Sequence, residues 1–427
     1  MTAPSPRPFQ TAEILAVGTE LLTPYRSDSN SLFITARLNE LGVEVRAKAI
    51  VGDDPADLRA MLERARARAD LVVLTGGLGP TEDDVTRTVV AAALGLPLRE
   101  DPAIVEWLER RFASRGYPMP AINRRQAQVP VGATTLENRR GTAPGLWIDQ
   151  GERGVLLLPG PPREMQPMLE AFICDVLASR TCGRRLHRRV LKIAGWGESS
   201  VDETVQPIYA GWATLDPPIL TTILAAPGQV ELHLTTPDED AASAAARLDR
   251  AVAMLTPALR HGVFSTDGRS LEEVVGDLLR ERGLTIALGE SCTGGLITSR
   301  LTDVAGSSAY VLASVVAYGN RAKTELLGVS EETIAAEGAV SERVALAMAE
   351  GARARAGADI GVGVTGIAGP GGATPGKPVG TVCIGVAAPG GGRLVATRQF
   401  AGERAAVKQQ ASQAALDMVR RTVTGES

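Results

Sequence analysis

The sequence predicts an α/β protein: two doubly wound α/β domains joined by a small α+β connecting domain. Three observations lead to that class. Residues 12–180 alternate short apolar runs with amphipathic stretches at helical spacing, the pattern of parallel strands linked by covering helices. The same alternation restarts near residue 265 without repeating the first half. Between them lies a smaller unit with a strand, a helix, a hairpin pattern and a second helix. The expected boundaries are 10–175, 186–262 and 265–423.

In chain order, AEILAVG (12–18) reads as a strand, NSLFITARLNELG (30–42) as a helix, VEVRAKAIVG (43–52) as a strand and PADLRAMLERARARA (55–69) as a helix. DLVVLTGG (70–77) and TEDDVTRTVVAAALG (81–95) repeat the pair, and GVLLLPGPP with REMQPMLEAFICDVLA closes the domain at 178. The Arg-rich SRTCGRRLHRR (179–189) reads as a linker. The small unit runs from the strand RVLKIAGW (189–196) through the hairpin of ILTTILAA and QVELHLTT to a helix at 239–259. Its order is KH-like, but it lacks a convincing GxxG loop, so a connecting or dimerising module is expected rather than an RNA binder. The last domain sets helices at 271–283, 341–357 and 403–421 against the strands LTIALG, VLASVVAYG, DIGVGVTG, GTVCIGVA and LVATRQF.

Composition narrows the function. The net charge of −4 mixes both signs, which gives no nucleic-acid footprint. No run approaches the roughly 18 consecutive apolar residues of a membrane span. The first ten residues, MTAPSPRPFQ, lack the apolar core of a signal peptide and read as a short disordered start. Cysteines 174, 182, 292 and 383 form no CxxC pair, which fits a reducing cytoplasm. Of 45 basic residues, 40 are arginine and five are lysine, at 48, 192, 323, 377 and 408. A lysine kept in such a chain either marks a need for a deprotonatable amine or reflects a GC-biased genome.

Three loops of the last domain draw attention. In ESCTGG (290–295) Cys292 lacks a base, because histidines 187, 233 and 261 all lie outside that domain. A small semi-buried thiol is the better account of it. Thr293, Gly294 and Gly295 stand at a strand-to-helix junction, where free N–H groups favour a phosphate, with Ser291 and Thr293 as added hydroxyl donors; a plain tight turn is the alternative. Downstream, Ser308 precedes Lys323 by fifteen residues, and a desolvated neutral lysine can take a serine proton where no histidine is available. Tyr318 could orient the pair or donate to an oxyanion. The alternative is a helix-end serine and a solvated lysine. TGIAGPGGATPGKPVGT (365–381) brings Thr365, Gly366 and Lys377 to the same sheet edge, with Lys377 either on a phosphate or a surface charge.

In the first domain, TGGLGPTEDDVT (75–86) follows a strand and opens a helix. Its glycines let N–H groups approach a phosphate, and Asp83 and Asp84 could hold Mg²⁺ against a pyrophosphate or merely complement the helix dipole. ENRRGTAPG (137–145), with Thr142, and LPGPPREM (158–165) supply further ligand-rim turns.

ESCTGG, AGSS, VVAYGNRAK, GAVSE, TGIAGPGG and KPVGTVCIGV, in this order over 265–421, resemble the C-terminal domain of the CinA family (competence/damage-inducible protein A) and its stand-alone relative, bacterial nicotinamide mononucleotide (NMN) deamidase. The resemblance implies metal-free hydrolysis of the NMN carboxamide to nicotinate mononucleotide and ammonia. It places a Ser–Lys dyad on Ser308 and Lys323 beside Tyr318, and substrate-binding or catalytic positions on Ser291, Thr365 and Arg404. Gly319 stands where the family usually has serine.

GTELL, TGGLGPTEDDVT, NRRGTAPG and LPGPPREM resemble the family's molybdopterin-binding-like domain, associated with metal-dependent ADP-ribose pyrophosphatase activity. This implies Glu20 and Asn30 near the pocket, Gly76, Gly77, Gly79 and Thr81 at phosphate, Thr142 on the rim, and Asp83 and Asp84 at a divalent metal (Mg, Mn or Co). After GTELL the family's Gly-DTN is replaced by TPYRSDSN, one residue longer. A cytoplasmic homodimer acting on NMN and ADP-ribose, with no nucleic-acid or membrane partner, is the expectation. The alternative is a molybdopterin- or nucleotide-binding protein acting through partners in competence or the DNA damage response.

Overall fold

Seven consecutive buried residues, Thr11–Val17, form a central strand of the first sheet in the computed structural model, which describes residues 7–181 and 183–426. A strand buried on both faces must be covered by helices on both sides, and the sheet has the order Glu44–Val51, Thr11–Val17, Leu71–Thr75, Gly154–Leu158, Gly145–Asp149, Thr134–Leu136. The first four strands are parallel and the last two antiparallel, so the sheet is mixed rather than wholly parallel as the alternation predicts. Helices start where the sequence supplies caps: Asp54 accepts from the Ala56 and Asp57 amides ahead of Pro55, and Asp101 does the same for Ala103 ahead of Pro102.

The chain forms two compact units, one reaching His187 and including Pro237–Ala241, the other comprising Arg188–Thr236 and the chain from Ala242 on. In unit 1 the expected disordered start is corrected from residue 8 onward. Phe9 is fully buried against Trp147, its amide bonds Arg180 O at 2.7 Å, and the Arg180 guanidinium lies over its ring. Residues 1–6 and Cys182 lie outside the described residues.

Unit 2 contains two sheets. A four-stranded one has the order Leu220–Ala226, Gln229–Asp238, Arg185–Ala194, Val263–Ser265, with its own core around Leu191, Leu232 and Leu248. Its long strand begins at Arg185, so half of the expected linker is strand, held by neighbours that sequence spacing does not reveal. The five-stranded sheet has the order Val311–Val316, Ile286–Glu290, Ile360–Gly366, Thr381–Ala387, Arg393–Gln399; the first three are parallel and the outer two antiparallel. Helix Glu342–Ala356 lies so close on this sheet that a Cβ on Gly363 would stand 2.0 Å from Ala345 O. Among the described residues no helix is long and apolar enough to cross a membrane.

Candidate active site

Strand Ile286–Glu290 has the following strand, Val311–Val316, on one side and Ile360–Gly366 on the other. Its carboxyl end is therefore the topological switch point, where open α/β sheets leave a crevice. Ser291 is the first residue beyond it and is anchored there by its amide, which donates to Val364 O at 2.9 Å. Lys323, on the helix Asn320–Leu327, reaches the same point. Its Nζ donates to Ser291 Oγ at 3.0 Å and to Tyr318 O at 3.2 Å.

This corrects the expected dyad. Ser308 sits in the short helical turn Ser307–Ala309 before strand Val311–Val316, exposed, at the amino edge of the sheet. Ile286 pairs with Val311 and Glu290 with Val316, so about six residues of strand, roughly 20 Å at 3.3 Å per residue, separate Ser308 from the edge that carries Lys323. The serine facing Lys323 is Ser291.

Lys323 is 2% exposed, and burial lowers its pKa from the ordinary lysine value. The neighbouring Cys292 thiol cannot oppose this at neutral pH, because burial pushes its own pKa up to about 12 and leaves it uncharged. Alkylation of the native protein at pH 8, read by peptide mass spectrometry, should therefore modify the exposed Cys174 and spare Cys292.

The turn after Ser291 is built by a residue the sequence reading passed over. Glu290 is fully buried and accepts from the amides of Gly295, Ile297 and Thr298 and from the Thr298 hydroxyl, at 2.7–3.2 Å. Its carboxylate fills the start of the helix Leu296–Thr302. Of the phosphate cradle expected at Thr293, Gly294 and Gly295, the Gly295 amide is thus taken by Glu290 and the Gly294 amide by Ser291 O at 3.1 Å, so the cradle is not open as expected. Thr293 is buried with an unpartnered hydroxyl. The amides of Cys292 and Thr293, which follow Ser291, face the Cys292 sulfur, and among the described residues neither donates to an oxygen. The sequence signal for Glu290 is an acid ending an otherwise apolar strand just before a glycine turn.

The remaining expected residues gather at the same edge with altered duties. Thr365 is buried and its hydroxyl donates to Ala339 O, with Gly366 next in the strand. Tyr318 is 60% exposed and touches Lys323 only through its carbonyl; its hydroxyl accepts from Arg404, which also donates to Gly369 O. Tyr318 therefore positions Arg404 rather than the dyad. Lys377 clasps the carbonyls of Glu337 and Val340 at 2.7 Å, which makes it a loop tie and not a phosphate contact. Gly319 is the N-cap of the lysine's helix without a side-chain bond, a loss of a few tenths of a kcal/mol against serine. Lys408, unassigned in the sequence, has its Nζ 3.6 Å from where a Gly294 side chain would begin.

In unit 1 a cavity of about 650 Å³ opens at the carboxyl ends of the parallel strands, lined by Glu20, Asn30, Gly76, Gly77, Gly79, Asp83, Asp84 and Thr142 among others. Gly76 has φ +106°, and a Cβ there would meet Val17 O at 2.0 Å, so this turn requires glycine. Asn30 donates to Thr75 Oγ1 and Gly160 O and leaves its Oδ1 buried without a partner. Gln126 donates to Thr142 Oγ1 at 3.2 Å.

The expected phosphate contacts at Gly76, Gly79 and Thr81 need correction. The Gly76 amide donates to Leu158 O, and Asp84 accepts from the Gly79 amide and from both the amide and hydroxyl of Thr81. Among the described residues the amides of Gly77 and Leu78, at the glycine turn, and of Glu82 have no hydrogen-bond acceptor. Asp84 is accordingly a pin for the loop. Asp83 is exposed, and the Thr81 hydroxyl lying beside it holds its carboxyl below the usual range. Among the described residues no group of three or more His, Cys, Asp or Glu is placed to hold a metal. Mg²⁺ carried by a diphosphate takes only one or two carboxylates from protein, and Asp83 fits that lesser role.

Residues 268–423 match the family described as "CinA C-terminal domain" and residues 13–179 the one described as "Probable molybdopterin binding domain". A CinA-like protein of Koribacter versatilis (strain Ellin345) is 48% identical over 414 residues, covering 96% of this chain and 99% of its own. This chain belongs to the CinA family. A second CinA-like protein, from Solibacter usitatus (strain Ellin6076), is 43% identical over 97% of this chain and 99% of its own. A solved CinA-family structure, the competence/damage inducible protein CihA from Agrobacterium tumefaciens, is 41% identical over 36% of this chain and 93% of its own, with a TM-score of 0.35. The CinA membership and the α/β fold inferred from the motifs are thereby established.

Proposed function

We propose that unit 2 is an amidohydrolase that converts NMN to nicotinate mononucleotide and ammonia, with Ser291 as nucleophile and Lys323 as its base. The buried Lys323–Ser291 pair carries this reading: a serine hydroxyl is activated only by a group that removes its proton, and desolvation favours the neutral amine that can do so. In the reaction Ser291 Oγ bonds to the carboxamide carbon while its proton passes to Lys323 Nζ. The developing oxyanion falls to the amides of Cys292 and Thr293, whose present acceptor is only the weakly accepting Cys292 sulfur. Lys323 returns the proton to the leaving nitrogen, which departs as ammonia and leaves an ester on Ser291. Water, deprotonated by the same amine, then cleaves the ester to the carboxylate. Lys408 and Arg404 are the cations for the substrate's phosphate, in place of the occupied helix start.

The pH profile tests the base. Lys323 acts only when neutral, so kcat/KM should be low in acid and rise as the ammonium loses its proton, with a midpoint below the ordinary lysine value of 10.5. A profile flat from pH 6 to 10, or one falling over that range, would sink the assignment.

For unit 1 we infer binding and metal-dependent hydrolysis of ADP-ribose. Support comes from the cavity's free Gly77 and Leu78 amides and from the orphaned Asn30 acceptor, which suits a ribose or amino donor. Asp83 would hold a Mg, Mn or Co ion, which when bound would neutralise charge on the diphosphate. AMP release from ADP-ribose with each ion checks it; none with any of the three reduces the site to binding.

A further inference from the structure

A second cavity in unit 2, about 900 Å³, lies between the four-stranded sheet and helix Arg404–Thr424. It is held open by two ties. Gln413 donates to Gln229 Oε1 at 3.0 Å, and Arg420, itself buried, donates to His261 O at 2.6 Å. Three arginines line it, Arg260, Arg398 and Arg421; among the described residues none of them forms an ion pair, although Asp417 interacts electrostatically with Arg421, and the Arg421 Nε is buried without any hydrogen bond. Most other arginines near this wall are engaged: Arg420 pairs with Asp417 and Glu426, and Arg300 with Glu272. The acids of the cavity do not balance the three. Asp417 is hydrogen-bonded to Arg420 and shares its charge between Arg420 and Arg421, and Glu198 stands exposed on the rim.

Two backbone features converge on the same space. Helix Glu198–Tyr209 begins at Gly197 with no side-chain cap, and Gly197 and Glu198 at its start line the cavity. Arg260 has φ +49°, and it is the one non-glycine in the left-handed region among the described residues. Such a conformation in an L residue persists where the surroundings enforce it, and here it accompanies a guanidinium on the cavity. The rings of Trp196 and Phe400 supply the apolar part of the lining.

We propose that this cavity is a third ligand site, separate from the Ser291 centre, and that it binds a nucleoside phosphate. The three guanidiniums, none of them in an ion pair among the described residues, and the uncapped helix start receive the phosphate, and the aromatic side chains receive the base. The volume is that of a small-molecule site.

The test is titration of the full chain with AMP, following tryptophan fluorescence against a Trp196→Phe control, with inorganic phosphate as a parallel arm. The expected result is saturable, Trp196-dependent quenching by AMP, tighter than by phosphate. Arg398→Ala, at an exposed strand position, and Arg421→Ala should each weaken it about tenfold or more while leaving kcat for NMN and the melting temperature unchanged. No saturable Trp196 signal overturns the proposal, as does a signal indifferent to both arginine replacements. Phosphate binding as tight as AMP overturns the nucleoside part, and self-association that itself buries Trp196 assigns the cavity to a second copy. None of these outcomes depends on whether ammonia is released from NMN.

Discussion

Ser291→Ala and Lys323→Ala are each expected to lower ammonia release from NMN by at least about 10³-fold, while Ser308→Ala retains the wild-type rate. The first two remove members of one buried pair whose separation is 3.0 Å; the third removes an exposed hydroxyl at the opposite edge of the sheet. Lys323→Arg sharpens the test. It keeps a positive charge but offers no deprotonatable amine, so it should be as inactive as the alanine variant at every pH up to 10. Continuous ammonia assays at saturating and limiting NMN separate kcat from KM. Activity in Ser291→Ala with loss in Ser308→Ala would restore the dyad that motif order suggested.

Glu290→Ala is the second large effect, expressed in stability. The carboxylate satisfies three amides, one buried and two half-buried, and one hydroxyl. Its removal leaves one buried and two half-buried amides unsatisfied, at about 1–3 kcal/mol for a fully buried one and less for the others, so a net destabilisation of about 2–3 kcal/mol is expected from urea unfolding. Because the same bonds shape the turn after Ser291, kcat should fall as well. Glu290→Gln, which keeps the shape but places an amide donor among donors, should lie between. A destabilisation under about 1 kcal/mol for Glu290→Ala would mean that water replaces the carboxylate and that the turn is set by other contacts.

The contrast between Ser308 and Ser291 shows what the sequence could and could not disclose. Motif order identified every loop at the functional edge of unit 2, and the apolar runs identified its strands. Pairing the right serine with the lysine needed one more physical step. From Ser308 to Lys323 the chain crosses the sheet once, along Val311–Val316, and a single crossing ends on the opposite edge. From Ser291 it goes back along the helix Leu296–Thr302 and returns along that strand, and two crossings end where they began. Parity of crossings, read from the strand and helix pattern, would have chosen Ser291. Glu290 and Asp84 were harder to assign, because an acid beside a glycine turn is equally a ligand contact or an internal cap. The deciding fact is which amides it reaches, and that exists only in the folded chain. The antiparallel strands at the sheet edges were illegible for a related reason: apolar alternation reports burial and not direction.

The most direct test of the account is incubation of the full-length wild-type protein with NMN in the presence of a metal chelator, with ammonia and nicotinate mononucleotide measured together. The account predicts both products in equal amounts at a rate indifferent to the chelator. Absence of ammonia from a folded protein, or ammonia that disappears on chelation, would contradict it.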